Sequence, residues 1–319
     1  MASNLLTIIV PTQATPERLP YLNACVRTLS YFTPQFHILV VKNGSQQEKC
    51  DLNYHNVVTY TTARQGQCHA VNFALQYVTT PFVMVTNDDM LYGPGWQMSL
   101  SKAVDEYQVV CPNLIEPHGG ADPFLEIGEW GDKMDASFNS QAWFNFAKQF
   151  HGLFQYNYDG AYVEDGFNLP FLTKTEILKS IGGYDEAYDP YGANSDSDLE
   201  YAFMISGLRP TRVKASVVWH FSLQSSDATK DEERRVDWFK NKDYFIHKWG
   251  FERQMETPIW YAAGKNGIRI PTKERPYVFE HAAGHGEHPG QDWLEFHPDW
   301  KGKYGEPVYG DGKYYGLTL

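Results

Sequence analysis

At 319 residues the chain exceeds the usual size of one domain, so we expect either one large α/β domain with insertions or one domain with an appendage. Its formal net charge of −12 argues against a general polyanion-binding surface, because such surfaces need basic residues to neutralise phosphates. Any phosphate-bearing ligand is therefore expected to bring its own cation. Aromatic residues make up 15% of the chain, and core packing accounts for most of such an excess.

Cysteine usage and the N-terminal segment indicate the cellular setting. The four cysteines, at positions 25, 50, 68 and 111, lack C-x-x-C spacing, so a reducing compartment is expected. The apolar run 5–10 has no basic flank and is followed by Pro11, which predicts a strand and not a signal peptide. No apolar run approaches the length of a membrane span, and we expect a soluble, cytoplasmic protein.

Between residues 5 and 110, short β-branched runs alternate with helical patterns, which is typical of βαβ units around a parallel sheet. Strands are predicted at 6–10, 36–41, 57–61, 82–86 and 109–110. Helices are predicted at 17–31, opened by Thr15-Pro16, at 68–77, and from Pro94-Gly95-Trp96 to about residue 107.

The pattern changes after residue 113, where regular periodicity fades and aromatic residues accumulate up to residue 160. Insertions of this length are often lids or binding loops. The aromatic residues are Phe124, Trp130, Phe138, Trp143, Phe144, Phe146, Phe150, Phe154, Tyr156 and Tyr158.

Regular elements return beyond the aromatic stretch. We predict a strand at 171–173, a helix at 174–180 that stops at Gly182-Gly183, a helix from about Asp198 to Gly207, and strands at 211–213 and 217–219. Residues 229–249 predict an amphipathic helix. The segment after Gly264 is rich in Gly, Pro, Tyr and His, and is interpreted as a loop-rich wrap or an extra acceptor surface.

The pair Asp88-Asp89, preceded by Asn87, follows the apolar run 82–86. At the carboxyl end of a buried parallel strand, these carboxylates would lie at the edge where open α/β folds bind ligands. They can hold magnesium or manganese, which prefer oxygen ligands and bridge to substrate phosphates. They can equally start a turn, as Asn and Asp often do. The pair alone leaves both possibilities open.

The segment after the first strand argues against several nucleotide folds. Val10 is followed by Pro11-Thr12-Gln13-Ala14-Thr15, and no glycine occurs before Gly44. Dinucleotide-binding proteins need G-x-G-x-x-G at this point. The same absence argues against a P-loop and against nucleotidyltransferases that open with a glycine-rich loop.

Three further groups are candidates for chemistry. Asp196 and Asp198 precede the apolar run 199–205, where they can cap a helix or supply a general base. His220 ends an apolar strand, where it can be structural or a metal ligand near Asp89. The tail histidines lie among Gly and Pro, which favours an ordinary solvated loop over a metal site. They are His281, His285 and His288.

In this order the segments resemble the family 2 glycosyltransferases with the GT-A fold, over roughly residues 5–250. The matching motifs are the strand IIVPT at 8–12, Val40-Val41-Lys42-Asn43-Gly44-Ser45, Gly66 with Ala70 and Asn72, Asn87-Asp88-Asp89 with Pro94-Gly95-Trp96, Gly182-Gly183-Tyr184-Asp185-Glu186, Ser195-Asp196-Ser197-Asp198-Leu199, the strand VVWHFS that contains His220, and Lys248-Trp249-Gly250.

The resemblance implies a Rossmann-like, mostly parallel sheet flanked by helices, with an aromatic-rich insertion and a C-terminal extension. It divides the chain into a nucleotide-sugar-binding half at 1–112, an aromatic insertion or lid at 113–160, an acceptor-binding half with the base at 161–228, and a C-terminal helix and extension at 229–319.

The resemblance also implies an inverting transfer of a sugar from a nucleoside-diphosphate sugar to a hydroxyl of a glycan or other acceptor. Asp196 would be the catalytic base. Asp89 and His220 would hold Mn²⁺ or Mg²⁺, with Asp88 near the ribose or the metal. The nucleotide-sugar side would comprise Pro11, Thr12, Lys42, Asn43, Arg64, Gly66, Asn72, Asn87 and Asp88. The acceptor side would comprise Gly183, Tyr184, Asp185, Glu186 and Asp198. Apart from the resemblance, the aromatic insertion with Trp130 is interpreted as an acceptor platform or lid, because apolar sugar faces stack on aromatic rings.

Two positions depart from the family pattern, and other functions remain as alternatives. Lys42 stands where the family usually has an Asp that contacts the base, and Ser195 stands where it has a Glu before the catalytic Asp. A non-catalytic glycan-binding protein, a sugar-nucleotide hydrolase and a nucleotidyltransferase are the alternatives. The acidic composition argues against nucleic acid as a partner.

Overall fold

A computed structural model gives the fold of the chain. It describes residues 5–44, 48–50, 52–117, 130–131, 133–154, 163–221, 236, 240–245 and 248. Several positions singled out in the sequence lie outside these residues: Ser45, Phe124, Tyr156, Tyr158, Trp249, Gly250 and the whole tail with His281, His285 and His288.

The described residues form nine strands, six α-helices and a short 3-10 turn at Glu186–Tyr188. The strands are β1 (Leu6–Thr12), β2 (His37–Asn43), β3 (Val57–Thr62), β4 (Phe82–Val85), β5 (Met90–Leu91), β6 (Val109–Ile115), β7 (Val163–Asp165), β8 (Phe171–Lys174) and β9 (Thr211–His220). The helices are α1 (Leu19–Phe32), α2 (Gln67–Leu75), α3 (Gln97–Tyr107), α4 (Ser140–Phe154), α5 (Thr175–Ser180) and α6 (Ser195–Ile205).

One sheet joins all of these strands, in the order β3-β2-β1-β4-β8-β6-β9-β5, with β7 paired to β9. The strands from β3 to β4 are parallel, as the alternation of strands and helices predicts. Beyond β4 the sheet is mixed, because β8 runs antiparallel to both β4 and β6 while β9 is parallel to β6. The α/β fold class is therefore confirmed, with antiparallel pairs confined to the later strands.

Alternating residues of β1 and β2 explain why helices cover both faces of the sheet. All seven residues of β1 are buried. Ile9 and Val41 pack with α2, α5 and α6 on one face. Ile8, Val10 and Val40 pack with α1 and α3 on the other. Burying each such side chain contributes about 1.5–3 kcal/mol, and strands buried on both faces read as continuous apolar runs.

The aromatic stretch contains a 15-residue helix, α4, where no regular element was predicted. Its aromatic side chains form a third core cluster with the end of β9. Trp130 is only 5% exposed, and its ring lies 5.3 Å from the rings of Trp143 and Trp219 and 5.0 Å from that of Phe146. This packing makes Trp130 a core residue, which differs from the acceptor contact suggested by the sequence.

A buried histidine joins α4 to the sheet. His151 donates from Nδ1 to the Pro94 carbonyl at 2.6 Å and accepts at Nε2 from the Val217 amide at 3.0 Å. Burial lowers its pKa to about 4, so the neutral ring keeps both bonds at physiological pH. His151 thus ties the Pro94-Gly95-Trp96 turn, α4 and β9 together.

Strand β9 differs from the two short strands predicted at 211–213 and 217–219. It is one strand whose register against β6 shifts between Pro112 and Asn113, the partners of Val213 and Val217. Two of the three intervening residues, Ala215 and Ser216, contact α3 and the residue before it. The Ser216 hydroxyl donates to the Trp96 carbonyl at 2.6 Å, and Ser99 donates to the Ala215 carbonyl at 3.2 Å.

Helix boundaries agree with the sequence to within a few residues, with one consequential difference. Helix α6 begins at Ser195, three residues before the predicted start, because Asn194 adopts a left-handed conformation with φ of 66° and turns the chain there. Asp196 therefore lies in the first turn of α6 and not on a flexible approach to it. In the part of the chain that the structure describes, no helix has the length and apolarity to cross a membrane.

Candidate active site

The two carboxylates that follow β4 have different surroundings, although both are buried. Asp88 uses both oxygens in protein contacts: Oδ2 accepts from the Thr12 hydroxyl at 2.6 Å, and Oδ1 pairs with the Arg18 guanidinium. Burial is the main influence on Asp88 and raises its pKa, against the opposing charge of Arg18. Asp88 is thereby fixed to β1 and to the chain just before α1.

Asp89 points toward β9. The strand pair β5–β9 places Met90 beside His220, and the Phe221 amide donates to the Asp89 carbonyl at 3.1 Å. His220 Nε2 lies 3.4 Å from Asp89 Oδ1, and this buried oxygen has no hydrogen-bond partner. Burial acts to raise the pKa of Asp89, but His220 and Arg18 outweigh it and the pKa lies below its usual value.

The other ring nitrogen of His220 contacts a residue that the sequence did not suggest. Nδ1 lies 2.7 Å from Glu116 Oε1, just beyond the end of β6. Burial favours the neutral ring, yet the Asp89 and Glu116 carboxylates raise the pKa of His220 to about 9. His220 therefore lies between two carboxylates at the end of the sheet.

This site suits a divalent cation that also binds a substrate. Asp89 offers a buried oxygen without a hydrogen bond, and His220 offers an imidazole beside it. Among the described residues no three His, Cys, Asp or Glu side chains converge on one point. Two protein ligands are enough for magnesium or manganese, because such ions usually complete their shell with water and substrate phosphates.

A chain of hydrogen bonds crosses the carboxyl ends of β4, β1 and β2. Thr12, bonded to Asp88 through its hydroxyl, accepts at its carbonyl from Asn43 Nδ2 at 2.9 Å. Asn43 Oδ1 in turn accepts from the Gly66 amide at 3.0 Å. Four residues predicted for the nucleotide side, Asp88, Thr12, Asn43 and Gly66, are thus brought together.

Gly66 meets a steric requirement at the start of α2. Its φ is +139°, and a Cβ added there would lie 2.0 Å from Asp189 Cγ. The Asp189 carboxylate needs that space because it accepts from the amides of Cys68 and His69 at 3.0 and 2.9 Å. A residue 120 positions away in sequence thus satisfies the first turn of α2.

A second group of predicted residues meets around Asn72. Its side chain bonds to both the amide and the carbonyl of Tyr184 at 2.9 and 2.8 Å, and to Glu186 Oε1 at 3.1 Å. Glu186 also pairs with Arg64 and lies 3.3 Å from His69 Nδ1. The sequence assigned Asn72 and Arg64 to the nucleotide, whereas here both hold the segment predicted for the acceptor.

Gly183 fits this arrangement, since its φ is +72° and a Cβ would lie 2.3 Å from Asn72 Oδ1. Burial acts to raise the pKa of Glu186, but the bond from Asn72 and the charge of Arg64 outweigh it, and the pKa is lowered. An ionised Glu186 therefore links α2 to the 3-10 turn at neutral pH.

Asp185 and Asp198, both predicted to face the acceptor, are instead joined by a buried lysine. Lys248 Nζ lies 2.7 Å from Asp185 Oδ2 and 2.9 Å from the Asp198 carboxylate. Tyr244 adds a bond to Asp185 at 2.8 Å, and Tyr188 adds one to Asp198 at 3.0 Å. Burial acts to lower the pKa of Lys248, but the two carboxylates outweigh it and raise the pKa.

Lys248, Asp185 and Asp198 form an ion triad. Asp196 occupies the first turn of α6, two positions before Asp198 of this triad. The Tyr184 hydroxyl lies 3.5 Å from Asp196 Oδ1, at the limit of a hydrogen bond. Asp196 is half-buried, whereas its neighbours Ser195, Ser197 and Asp198 are buried. Asp196 is therefore held near Tyr184 on an ordered helix turn while keeping access to solvent.

The remaining predicted residues are placed mainly by the strands. Pro11 pairs with Val41 in the parallel ladder, and Lys42 lies half-buried between Thr12 and Thr61 in the same register. The carbonyl of Asn87 lies 3.6 Å from the Cys25 thiol.

Sequence reasoning missed Arg18, Glu116, His151 and Asp189. Glu116 follows an apolar strand as Asp88 follows β4, but its contact with His220 depends on the register between β6 and β9.

A protein-family model matches the part of the chain that contains several of these strand-end residues. Residues 7–157 match the model of glycosyl transferase family 2. This segment is a family 2 glycosyltransferase domain. The matched range includes the hydrogen-bond chain from Asp88 to Gly66 and both strand-end acids, Asp89 and Glu116. No curated protein sequence matches the chain.

Several solved structures are similar to the chain over most of its length. A mannosyltransferase from Pyrobaculum calidifontis, in complex with GDP-Man and Mn²⁺, is 16% identical with a TM-score of 0.50, over 94% of this chain and 81% of that chain. GalNAc-T7 with UDP, GalNAc and Mn²⁺ is 12% identical with a TM-score of 0.49, over 93% of this chain. TarS 1–349 of S. aureus is 14% identical with a TM-score of 0.45, over 84% of this chain and 81% of that chain. The present chain covers 55% of GalNAc-T7.

Proposed function

We propose that this protein is an inverting, metal-dependent glycosyltransferase that moves a sugar from a nucleoside-diphosphate sugar to an acceptor hydroxyl. The observation that carries the proposal is the position of the buried Asp89 carboxylate, whose Oδ1 lies 3.4 Å from His220 Nε2, at the strand ends next to the family 2 match. The mannosyltransferase structure contains GDP-Man and Mn²⁺, which supports a nucleotide-sugar donor and a divalent ion for this chain as well.

Asp89 and His220 would hold Mn²⁺ or Mg²⁺. A divalent cation at this position neutralises the charge that gathers on the leaving diphosphate, a contribution of several kcal/mol. This accounts for how a chain of net charge −12 can bind a polyanionic donor. Asp88, whose oxygens are engaged by Thr12 and Arg18, would instead shape the nucleotide side through the chain that reaches Asn43 and Gly66.

Asp196 would act as the general base. In an inverting transfer the acceptor oxygen attacks the anomeric carbon from the face opposite the diphosphate and must lose its proton. A carboxylate on an ordered helix turn is fixed in position, and a well-placed base is worth about 10²- to 10⁴-fold in rate. The segment 183–186, which Asn72 holds in place, would border the acceptor.

Donor binding is the first experiment. A thermal-shift screen of nucleoside diphosphates and their sugars, each with Mn²⁺ and with EDTA, should find stabilisation for one donor class that EDTA abolishes. A donor that binds equally well in EDTA would remove the metal from the proposal.

The role of Asp196 needs a turnover measurement. Asp196→Asn should lower kcat by about 10²-fold or more while donor affinity stays near wild type. Asp105→Asn, an exposed carboxylate change on α3, is the matched control. Unchanged turnover of Asp196→Asn would exclude it as the base, and retention of anomeric configuration in the product would exclude the inverting course.

A further inference from the structure

We infer that Glu116 is a positioning residue for the metal site: its carboxylate fixes the ring of His220 so that Nε2 is presented beside Asp89. The inference rests on the proposed metal role of Asp89 and His220 and deepens it. It depends on the sheet register, the contact at Nδ1 and the chemistry of the imidazole.

The sheet register brings the two residues together. In the parallel pair of β6 and β9, Ile115 is the partner of Trp219. The residues that follow this pair, Glu116 just beyond β6 and His220 at the end of β9, therefore lie side by side, although 104 positions separate them. Because the register is fixed by buried neighbours on both strands, the contact belongs to the sheet and not to a mobile loop.

The contact at Nδ1 determines what the other nitrogen can do. An ionised carboxylate only accepts hydrogen bonds, so the 2.7 Å contact requires Nδ1 to carry a proton that it donates to Glu116 Oε1. A divalent ion bound at Nε2 would replace the proton there, and the remaining proton would stay on Nδ1 and be donated to Glu116. Nε2 is the nitrogen that faces Asp89 Oδ1 at 3.4 Å.

Such a carboxylate behind a metal-binding histidine fixes the tautomer and the ring angle, and it increases the basicity of the ligand. Glu116 suits this role because its side chain is 34% exposed, whereas that of Asp89 is 2% exposed. A Glu116 substitution should therefore alter the orientation of His220 with little effect on the core.

The test measures Mn²⁺ binding directly, from the electron paramagnetic resonance signal of the free aqueous ion. Glu116→Ala should weaken Mn²⁺ binding by about 10- to 100-fold. Glu116→Gln should lose less, because its amide oxygen still accepts from Nδ1. Glu176→Gln, an exposed change of the same charge on α5, should bind as wild type.

A second readout follows the ring itself. In the protein loaded with Mg²⁺, the ¹⁵N resonances of His220 should show the proton on Nδ1 in wild type and in Glu116→Gln. The Glu116→Ala variant should need about 10- to 100-fold more Mg²⁺ to reach this signature, while its thermal stability stays near wild type.

Several results would overturn the inference. Equal losses in Glu116→Gln and Glu116→Ala would make Glu116 a charge partner or direct ligand and not a positioning residue. Wild-type affinity in both variants, or no Mn²⁺ binding by wild type, would remove the role altogether. The proposed function is judged separately by sugar transfer, so a Glu116 effect on Mn²⁺ without any transfer would support the inference while refuting the transferase.

Discussion

Lys248 allows a sharp test of how the C-terminal helical segment supports the acceptor side. Its ammonium makes contacts of 2.7 and 2.9 Å with two carboxylates that lie on the 183–188 segment and on α6. Lys248→Met keeps the apolar stem but leaves Asp185 and Asp198 without their shared cation. Breaking a buried pair from one side costs about 3–5 kcal/mol, because the charge left behind is uncompensated.

Equilibrium urea unfolding should therefore show Lys248→Met to be about 3–5 kcal/mol less stable than wild type. Lys240→Met, an exposed change in the same helical segment, should stay within about 0.5 kcal/mol. Adding Asp198→Asn to Lys248→Met should cost less than the two single effects together, since the double variant leaves only Asp185, which is 26% exposed, without its cation. A Lys248→Met protein as stable as Lys240→Met would refute this account of the ion triad.

Three further predictions concern His151, Gly66 and Trp130. The pKa of His151 is about 4 in the folded protein and about 6.5 when unfolded, so the unfolded state binds more protons between these values. Stability should therefore fall as pH drops from about 6.5 to 4, by about 1.4 kcal/mol per pH unit from this residue. His151→Gln should flatten that part of a stability–pH curve while His55→Gln, an exposed control, should not; parallel curves would contradict the assignment. Gly66→Ala should lose about 1–3 kcal/mol in urea unfolding from its positive φ and the clash with Asp189, whereas Gly152→Ala, with nothing within 4 Å, should be neutral or slightly stabilising, and similar results for both would be inconsistent with the steric argument. Trp130→Ala should lose about 3–5 kcal/mol as a core truncation, and Trp130→Phe should keep wild-type acceptor KM; a raised KM in the folded Phe variant would restore the acceptor role.

Strand-end residues were the part of the site that the sequence could predict. Ligands of open α/β sheets bind at the carboxyl ends of the parallel strands. The family resemblance grouped Thr12, Asn43 and Asp88 on the nucleotide side, and these residues form one hydrogen-bond chain at that edge. The pairing of His220 with Asp89 follows from the same reasoning, because both residues end apolar strands.

Other contacts depend on packing that local pattern does not encode. Asp198 and Asp185 sit in motifs that suggested acceptor contacts, and only the docking of Lys248 shows that they form an ion triad. Glu116 needs the register of two strands that are distant in sequence. The helical spacing of Trp143, Ala147 and His151 in the sequence indicates α4. The high aromatic content of this segment obscured that spacing.

The three extra residues in β9 make chain length a constraint on the proposed metal site. Successive side chains of a strand point to opposite faces, so removing one residue between Val213 and Val217 would turn His220 away from both Asp89 and Glu116. The same deletion would displace the Val217 amide that His151 accepts from. In related sequences the identity of the residues between Val213 and Val217 should therefore vary more readily than their number. A relative with a different number of residues there should also differ at the positions of His220 and Glu116.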